Sequence, residues 1–237
     1  MDSLFLSVRV AALALGLSLA CQAPSQAEEP QPPPCNQEAT IVFDAFGSMA
    51  GVVGGGIATS VTRIDEVRSA LAAVLPSATR FRRVGLITYG PGPYMQCNVH
   101  LDFAPMANAA EAIMHAVNGL TPAGKTPLTS AVAQAADVLD YRAKPGLIVV
   151  ITDGEETCGG SPCALAKQLH DEAMQLAVHI ISYRTKGYSW TGESVLDMMC
   201  LAEQNNGLFI SADSKQELIE VLEKTLDCPI ISQRMTP

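Results

Sequence analysis

The sequence predicts an α/β fold: a doubly wound, mostly parallel six-stranded sheet that is flanked by helices and carries one antiparallel strand at its edge. Short β-branched runs alternate with amphipathic stretches along the chain, as in sheets built from strand–helix–strand units. The run LIVVIT, residues 147–152, is apolar almost throughout, which is typical of a strand covered on both faces. These two observations indicate parallel strands joined by right-handed helical crossovers.

Six strands are expected, at 39–44, 83–89, 97–103, 146–152, 178–184 and 207–211. The second and third strands are separated only by GPGPYMQ, residues 90–96, which is too short for a helical crossover. These two strands are therefore predicted to form an antiparallel hairpin.

Apolar residues recur at helical spacing between the strands. Three groups each define one helical face: Ile64, Val67, Leu71 and Val74; Leu128, Val132, Ala135 and Leu139; Leu165, Leu169, Ala173 and Leu176. A last helix is predicted to begin after Ser214, because the spacing of Ser214 to Glu217 is that of a capping box. Its inward residues are Leu218, Val221, Leu222 and Leu226.

The N-terminal residues are expected to direct export. Val10–Ala20 is an uninterrupted run of apolar and small residues preceded by Arg9, too short to span a bilayer and typical of a secretory signal. With cleavage after Ala27, the chain divides into a signal peptide at 1–27, a Pro-rich tether at 28–36, a folded domain at 37–230 and a tail at 231–237. The mature chain is then expected to be periplasmic or secreted, without a transmembrane helix. A lipoprotein acylated at Cys21 is the alternative.

An even number of cysteines in an exported chain predicts disulfide bonds. Apart from Cys21, they are Cys35, Cys97, Cys158, Cys163, Cys200 and Cys228. Spacing makes the local pair Cys158 and Cys163 the easiest to close, and a bridge between Cys35 and Cys228 would tie the ends of the folded region together. A zinc site at Cys158, Cys163 and His170 is the weaker alternative, because the spacing is not that of a zinc ribbon.

The composition excludes several classes of function. The chain has 237 residues, of which 48% are hydrophobic and 16% charged, as in an ordinary folded domain. Its net charge of −9 argues against nucleic acid or an anionic membrane as the partner, because such partners require clustered Lys and Arg. The glycine-rich segment 51–60 lacks the lysine and the spacing of a phosphate-binding loop.

Oxygen-bearing side chains follow the predicted strands at one end of the sheet, where ligands bind in doubly wound folds. Asp44 and Ser48 follow the first strand, Thr126 lies in the loop before a helix, and Asp153 follows the strand at 146–152. Hard oxygen donors of this kind suit Mg²⁺ or Mn²⁺. Each residue also has a purely structural interpretation: Asp44 can bind turn amides, Thr126 can cap the helix before Pro127, and Asp153 can belong to a turn.

Together these segments resemble the von Willebrand factor type A domain and its metal-ion-dependent adhesion site, over about residues 37–227. The family's motif is D-x-S-x-S after the first strand, a Thr in a G-x-T-P-L-like loop, and an Asp that closes a hydrophobic strand as T-D-G. Asp44, Ser48, Thr126 and Asp153 match it, whereas Phe46 stands where the family has its first serine. The resemblance implies a Mg²⁺ or Mn²⁺ site with one oxygen ligand fewer, completed by a carboxylate of the partner, and no catalysis.

The leading hypothesis is thus an extracytoplasmic module that binds a protein or peptide partner, through a cation held by the four matching residues. Aromatic side chains are candidate contacts, since they are expected in loops at the same end of the sheet and are favoured at interfaces. They are Phe46, Tyr94, Tyr188 and Trp190, together with Tyr89 in a loop at the same end of the sheet. A metal-free interaction domain that uses these aromatics is the alternative.

An enzyme is not expected. The chain lacks the G-x-S-x-G motif of a serine hydrolase around Ser48. A metal-assisted hydrolase would need a general base, for which Glu155 and Glu156 are the nearby candidates.

Overall fold

The computed structural model describes residues 35, 37–53, 60–93, 96–185 and 192–228, with only the backbone of 192–194. These residues belong to the second of two units into which the chain divides, Pro32–Pro237. The predicted signal peptide with Cys21, the tail at 231–237 and all of the tether except Cys35 lie outside the described residues.

A six-stranded sheet with the order β3-β2-β1-β4-β5-β6 forms the centre of the fold. Its strands are β1 (Glu38–Asp44), β2 (Val84–Tyr89), β3 (Val99–Met106), β4 (Pro145–Thr152), β5 (Gln175–Tyr183) and β6 (Phe209–Ala212). All neighbouring pairs are parallel except β2 and β3, which are antiparallel. The predicted fold class is therefore confirmed, with its antiparallel strand at the edge. The winding reverses between β1 and β4, which is where ligands bind in such sheets.

Three helices cover each face of the sheet. One face carries α1 (Arg63–Phe81), α2 (Ala110–Asn118) and α6 (Lys215–Leu226), and the other carries α3 (Leu128–Val138), α4 (Pro162–Glu172) and α5 (Gly192–Glu203). Successive side chains of a strand point to opposite faces, so Ile41 of β1 is buried in the first core and Val42 in the second. This two-sided burial explains why the central residues of β1 and β4 are mostly apolar.

The fourth helix is shorter than its apolar spacing suggests. It ends at Glu172, and Ala173 is already extended, with φ −75° and ψ 138°. Leu176 belongs to β5, which begins at Gln175 rather than at the predicted 178. The prediction that Ala173 and Leu176 lie in this helix was wrong. Both side chains pack against the same core as α4, but Ala173 does so from the loop after α4 and Leu176 does so from β5.

Two helices have no counterpart among the predicted elements. In α2 only Ile113 and Val117 are buried, which is too little apolar periodicity to stand out in the sequence. In α5 the buried residues Met198, Leu201 and Ala202 lie close together near its C-terminal end.

Helix caps are partly those predicted. The Ser214 side chain accepts a hydrogen bond from the Glu217 N–H at 3.2 Å, as expected for the start of α6. Glu217 Oε2 accepts from the Asp213 N–H at 2.8 Å instead of from that of Ser214, so the reciprocal bond of the capping box is shifted by one residue. A complete capping box, Thr62 with Asp65, begins α1.

Three disulfide bonds join distant segments. Cys35–Cys228 ties the two ends of the described domain, Cys97–Cys158 joins the loop before β3 to the loop after β4, and Cys163–Cys200 joins α4 to α5. The predicted local pair Cys158–Cys163 was wrong, and neither cysteine is a zinc ligand. Cys158 lies on the loop that faces Cys97, whereas Cys163 lies in the first turn of α4 against α5.

In the part of the chain that the structure describes, no helix is both long and apolar enough to cross a membrane.

Candidate functional site

The four residues predicted to bind a cation come together at the carboxyl ends of β1 and β4. Ser48 donates its hydroxyl hydrogen to Asp153 Oδ1 at 2.5 Å, across 105 residues of sequence. A Cβ built on Gly154 would lie 3.6 Å from Thr126 Oγ1 and 4.0 Å from Ser48 Oγ, so both hydroxyls face the loop after β4. Asp44 reaches the same loop through Thr152, whose hydroxyl donates to Asp44 Oδ2 at 2.7 Å.

Asp44 is fully buried and makes one hydrogen bond with each carboxylate oxygen. Its Oδ1 accepts from the Phe46 N–H at 2.7 Å, which is the turn-amide contact of the structural interpretation. Each carboxylate oxygen can accept a second bond. The turn contact therefore fixes the carboxylate without using up its capacity to bind a ligand.

Asp153 is paired with a residue that the sequence did not mark as part of the site. Its Oδ2 accepts from Arg63 Nη1 at 2.7 Å, and both side chains are buried, with relative exposures of 0% for Asp153 and 11% for Arg63. The same Arg63 nitrogen lies 3.4 Å from the Ser48 carbonyl oxygen. A guanidinium therefore occupies one face of the predicted cation site.

A sequence signal for Arg63 does exist. It is the first residue of α1, directly after the N-cap Thr62. A cation at this position is unfavourable beside the positive end of the helix dipole, so it requires an acidic partner elsewhere. Asp153 is that partner.

The two carboxylates carry more negative charge than the single guanidinium balances. Burial and the neighbouring charge of Asp153 raise the pKa of Asp44 to about 7. Burial also raises the pKa of Asp153, against the opposing effects of the Ser48 hydroxyl and Arg63. A site of this kind favours uptake of a further positive charge.

The buried Thr126 Oγ1 has no hydrogen-bond partner among the described residues. The structural interpretation of Thr126 as a helix cap was wrong, because α3 begins after Pro127 and the Thr126 hydroxyl accepts no N–H of its first turn. Tyr89 was predicted in a loop but is the last residue of β2 and is fully buried. Burial and the charge of Asp44 raise the pKa of Tyr89 well above its ordinary value.

Phe46 brings a ring rather than an oxygen to the site. Its Cδ1 would lie 3.8 Å from a Cβ on Gly154, next to the Thr126 hydroxyl, and the residue is half-buried. The other predicted contact aromatics, Tyr94, Tyr188 and Trp190, lie outside the described residues.

Backbone contacts hold the Thr126 loop in place. Gly124 has φ +67°, and a Cβ there would lie 2.0 Å from the carbonyl oxygen of Gly90, so only glycine fits. The Thr126 N–H donates to Thr157 Oγ1 at 2.8 Å, and the Thr157 N–H returns a bond to the Thr126 carbonyl at 3.0 Å. The adjacent Cys97–Cys158 bridge links the flanking loops covalently.

Glu156, one of the two candidate bases, is occupied by backbone groups. Its Oε2 accepts from the Thr129 N–H at 2.7 Å and its Oε1 from the Cys158 N–H at 2.6 Å. The carboxylate thus caps the N-terminus of α3, a favourable position for a negative charge. It joins α3 to the loop after β4.

The donor set fits a hard divalent cation that keeps several of its water ligands. Asp44 and Asp153 supply carboxylate oxygens, and Ser48 and Thr126 supply hydroxyl oxygens. Within the described ranges no group of three or more His, Cys, Asp or Glu side chains is placed to hold a metal. Mg²⁺ takes only one or two carboxylates from a protein, which agrees with this donor set.

Comparison with known proteins agrees with this fold. Residues 40–156 match the von Willebrand factor type A domain family. The chain is 27% identical over 218 residues to the uncharacterized protein YwmD of Bacillus subtilis (strain 168), covering 88% of this chain and 92% of YwmD.

Two solved structures share the architecture. One is a von Willebrand factor type A protein from Catenulispora acidiphila, with a TM-score of 0.59 at 14% identity over 81% of this chain and 42% of that one. The other is the pilus adhesin SpaC from Lactobacillus rhamnosus GG, with a TM-score of 0.59 at 14% identity over 81% of this chain and 30% of SpaC. The family match and the topology show that the chain contains a von Willebrand factor type A domain.

Proposed function

We propose that this protein is an extracytoplasmic binding module that captures a protein or peptide partner at the carboxyl edge of its sheet, through a divalent cation. The observation that carries the proposal is the buried Thr126 hydroxyl, which faces the loop that carries Asp153 and has no hydrogen-bond partner in the described part of the chain. A buried polar group without a partner is costly, and a cation or its bound water would satisfy it. The occurrence of this fold in a pilus adhesin supports the same kind of activity.

Asp44, Ser48, Thr126 and Asp153 would hold the cation, Mg²⁺ or Mn²⁺. The bound ion would supply a Lewis acid to which a carboxylate of the partner can bind. The chain's own residues prepare the site: Thr152 and the Phe46 N–H orient Asp44, and Ser48 orients Asp153. Phe46 would shield one side of the cation from water and contact the partner.

Export to the periplasm or the medium is part of the proposal. Three disulfide bonds are compatible with an oxidising compartment. They agree with the secretory signal that the N-terminal sequence indicates.

We also propose that the module is not an enzyme. Both oxygens of Glu156 accept backbone N–H groups, which argues against its use as a general base.

A second candidate is a metal-free interaction domain, and the Arg63 contact favours it. The guanidinium already neutralises Asp153, and Phe46 removes one oxygen ligand. In that case the partner would bind the aromatic side chains around the site rather than an ion.

Calorimetric titration of the chain lacking residues 1–27 with Mg²⁺ and Mn²⁺ distinguishes the two candidates. The key variant is Thr126→Val, which removes the unpartnered hydroxyl at nearly constant shape. Its matched control is Thr40→Val, since Thr40 in β1 also carries a buried hydroxyl without a partner among the described residues but lies at the opposite end of the strand.

We expect the wild type and Thr40→Val to bind the ions alike and Thr126→Val to bind at least about tenfold more weakly, equivalent to about 1.4 kcal/mol. Phe46→Ser restores an oxygen ligand and is expected to bind more tightly than the wild type. Binding by Phe46→Ser alone would establish the metal-free candidate, and absence of binding by every variant would refute the cation.

A further inference from the structure

A cavity of about 280 Å³ opens at the amino-terminal edge of the sheet, at the opposite end from the cation site. Leu147 of β4 and Ala177 of β5 form its apolar wall. The C-terminal end of α6 contributes Lys224 and Asp227, and Arg82 and His179 complete the polar lining. Nothing in the proposed function uses this cavity.

Arg82 is a buried cation that interacts electrostatically with Asp227 and has its hydrogen bonds with backbone carbonyls. The residue is 3% exposed and donates to the carbonyl oxygens of Leu226 at 3.1 Å, Gln37 at 3.0 Å and Asp227 at 3.1 Å. The two carbonyls at the end of α6 stabilise it in part, because they are the negative end of a helix dipole. Three of its five N–H groups are used, and its charge is balanced by no acidic side chain within 4.0 Å in the described ranges.

Seven of the twelve described Lys and Arg residues have a carboxylate within 4.0 Å, namely Arg63, Arg68, Arg83, Arg142, Lys144, Lys167 and Arg184. Of the five that have none among the described residues, Arg82 and Lys224 line the same cavity. Burial of the Arg82 charge is costly, so an anionic ligand would stabilise this arrangement.

His179 adds a third donor. Its Nδ1 accepts a hydrogen bond from the Leu208 N–H at 3.0 Å, so the neutral ring carries its proton on Nε2. Burial and the positive charges of Arg82 and Lys224 lower the pKa of His179. His179 therefore lies in the same lining as two positive charges and the Asp227 carboxylate, with its Nε2–H available as a donor.

We propose that this cavity binds a small, freely diffusing oxyanion of the phosphate class. Lys224, His179 Nε2–H and the unused N–H groups of Arg82 supply the donors, and the cavity is large enough for one such ion with ordered water. The inference is independent of the cation site, because the two lie at opposite ends of the sheet.

Titration of the chain lacking residues 1–27 with inorganic phosphate, at an ionic strength held constant with chloride, tests the proposal. The key variant is Lys224→Glu, which reverses a charge on an exposed side chain and does not disturb the core. Lys215→Glu is the matched control, because Lys215 is exposed on the same helix and lies outside the cavity lining. His179→Asn removes the Nε2–H donor and keeps an acceptor for the Leu208 N–H.

We expect saturable binding of phosphate by the wild type and by Lys215→Glu, at least about tenfold weaker binding by Lys224→Glu, and a shift of the His179 ring resonances on saturation. His179→Asn is expected to bind more weakly than the wild type. Equal responses of the wild type and Lys224→Glu would overturn the proposal, and so would a response no larger than that to chloride alone.

Discussion

Arg63 Nη1 lies 2.7 Å from Asp153 Oδ2, where the sequence motif predicts a divalent cation to be held. Asp44, the other buried carboxylate of the site, accepts instead from the Phe46 N–H and the Thr152 hydroxyl. A divalent cation at the proposed site would compete with Arg63 for the Asp153 carboxylate. Such an ion would have to offset the loss of a buried ion pair before it bound with net gain.

We expect Arg63→Met to have opposite effects on stability and on cation affinity. Removal of one partner of a buried pair is expected to lower the free energy of unfolding by about 3 kcal/mol without added metal. The freed Asp153 oxygen is expected to bind Mg²⁺ more tightly, and the ion then restores stability by mass action. Thermal unfolding with and without Mg²⁺ measures both effects.

Lys167→Met is the control for this prediction, because Lys167 pairs with Asp171 on the surface, with side-chain exposures of 74% and 53%. Its effect is expected to stay within about 0.5 kcal/mol. If Arg63→Met weakened Mg²⁺ binding instead, Arg63 would be a support for Asp153 rather than a competitor of the ion.

The general placement of the site could be predicted because parallel strands bring their carboxyl ends to one edge. Asp44 and Asp153 are far apart in sequence but end neighbouring strands, so topology alone brings them together. Arg63 could not be placed in the same way. Its position depends on the course of the loop between Asp44 and α1, which local sequence patterns do not determine.

The same distinction explains the disulfides. Cys35 and Cys228 flank the folded region, so their proximity follows from how the sheet begins and how the last helix ends. The partner of Cys158 depends on which loop lies beside it, and the Cys97 loop is brought there by the β2–β3 hairpin. Short sequence separation favoured Cys163 as the partner of Cys158, but Cys163 lies in α4 on the side that packs against α5, where it bonds to Cys200.

Replacement of Glu156 by Ala is expected to destabilise the domain. The change removes both acceptors that join α3 to the loop after β4, and it leaves the Thr129 and Cys158 N–H groups without them. Loss of such a cap costs about 1 to 2 kcal/mol. Chemical denaturation measures it, with Glu111→Ala in the first turn of α2 as the control. An unchanged unfolding midpoint would mean that water replaces the carboxylate at no cost.

The Cys97–Cys158 bridge is expected to matter for the site as well as for stability. Replacement of both cysteines by Ser opens a link between residues 61 apart, which is expected to lower the free energy of unfolding by about 2 to 5 kcal/mol. Because the bridge flanks the Thr126–Thr157 contacts, hydrogen exchange of the Thr126 and Thr157 amides is expected to become faster.

The comparison variant replaces Cys163 and Cys200, whose bridge joins α4 to α5. It is expected to lower stability but to leave exchange at Thr126 and Thr157 unchanged under strongly native conditions. Equal exchange in both double variants would show that the Cys97–Cys158 bridge contributes to global stability and not to the geometry of the site.

Acidification is expected to destabilise the fold through His179. Its pKa is lowered below the ordinary 6.5 by burial and by the charges of Arg82 and Lys224, with Asp227 as the opposing charge in the cavity. Between the folded and unfolded pKa values the unfolded chain binds more protons, so stability is full above pH 6.5 and falls as the pH drops toward the folded value.

His179→Asn is expected to remove this part of the pH dependence, measured as the unfolding midpoint in a pH series. Inorganic phosphate is also expected to reduce this pH dependence in the wild type. An oxyanion in the cavity stabilises the imidazolium form and so raises the pKa of His179 toward its ordinary value. Nuclear magnetic resonance titration of the ring follows that pKa directly. If phosphate left the pKa of His179 unchanged, and His179→Asn had the pH dependence of the wild type, His179 would neither bind the oxyanion nor cause the acid sensitivity. Arg82 would then only cap the C-terminal end of α6.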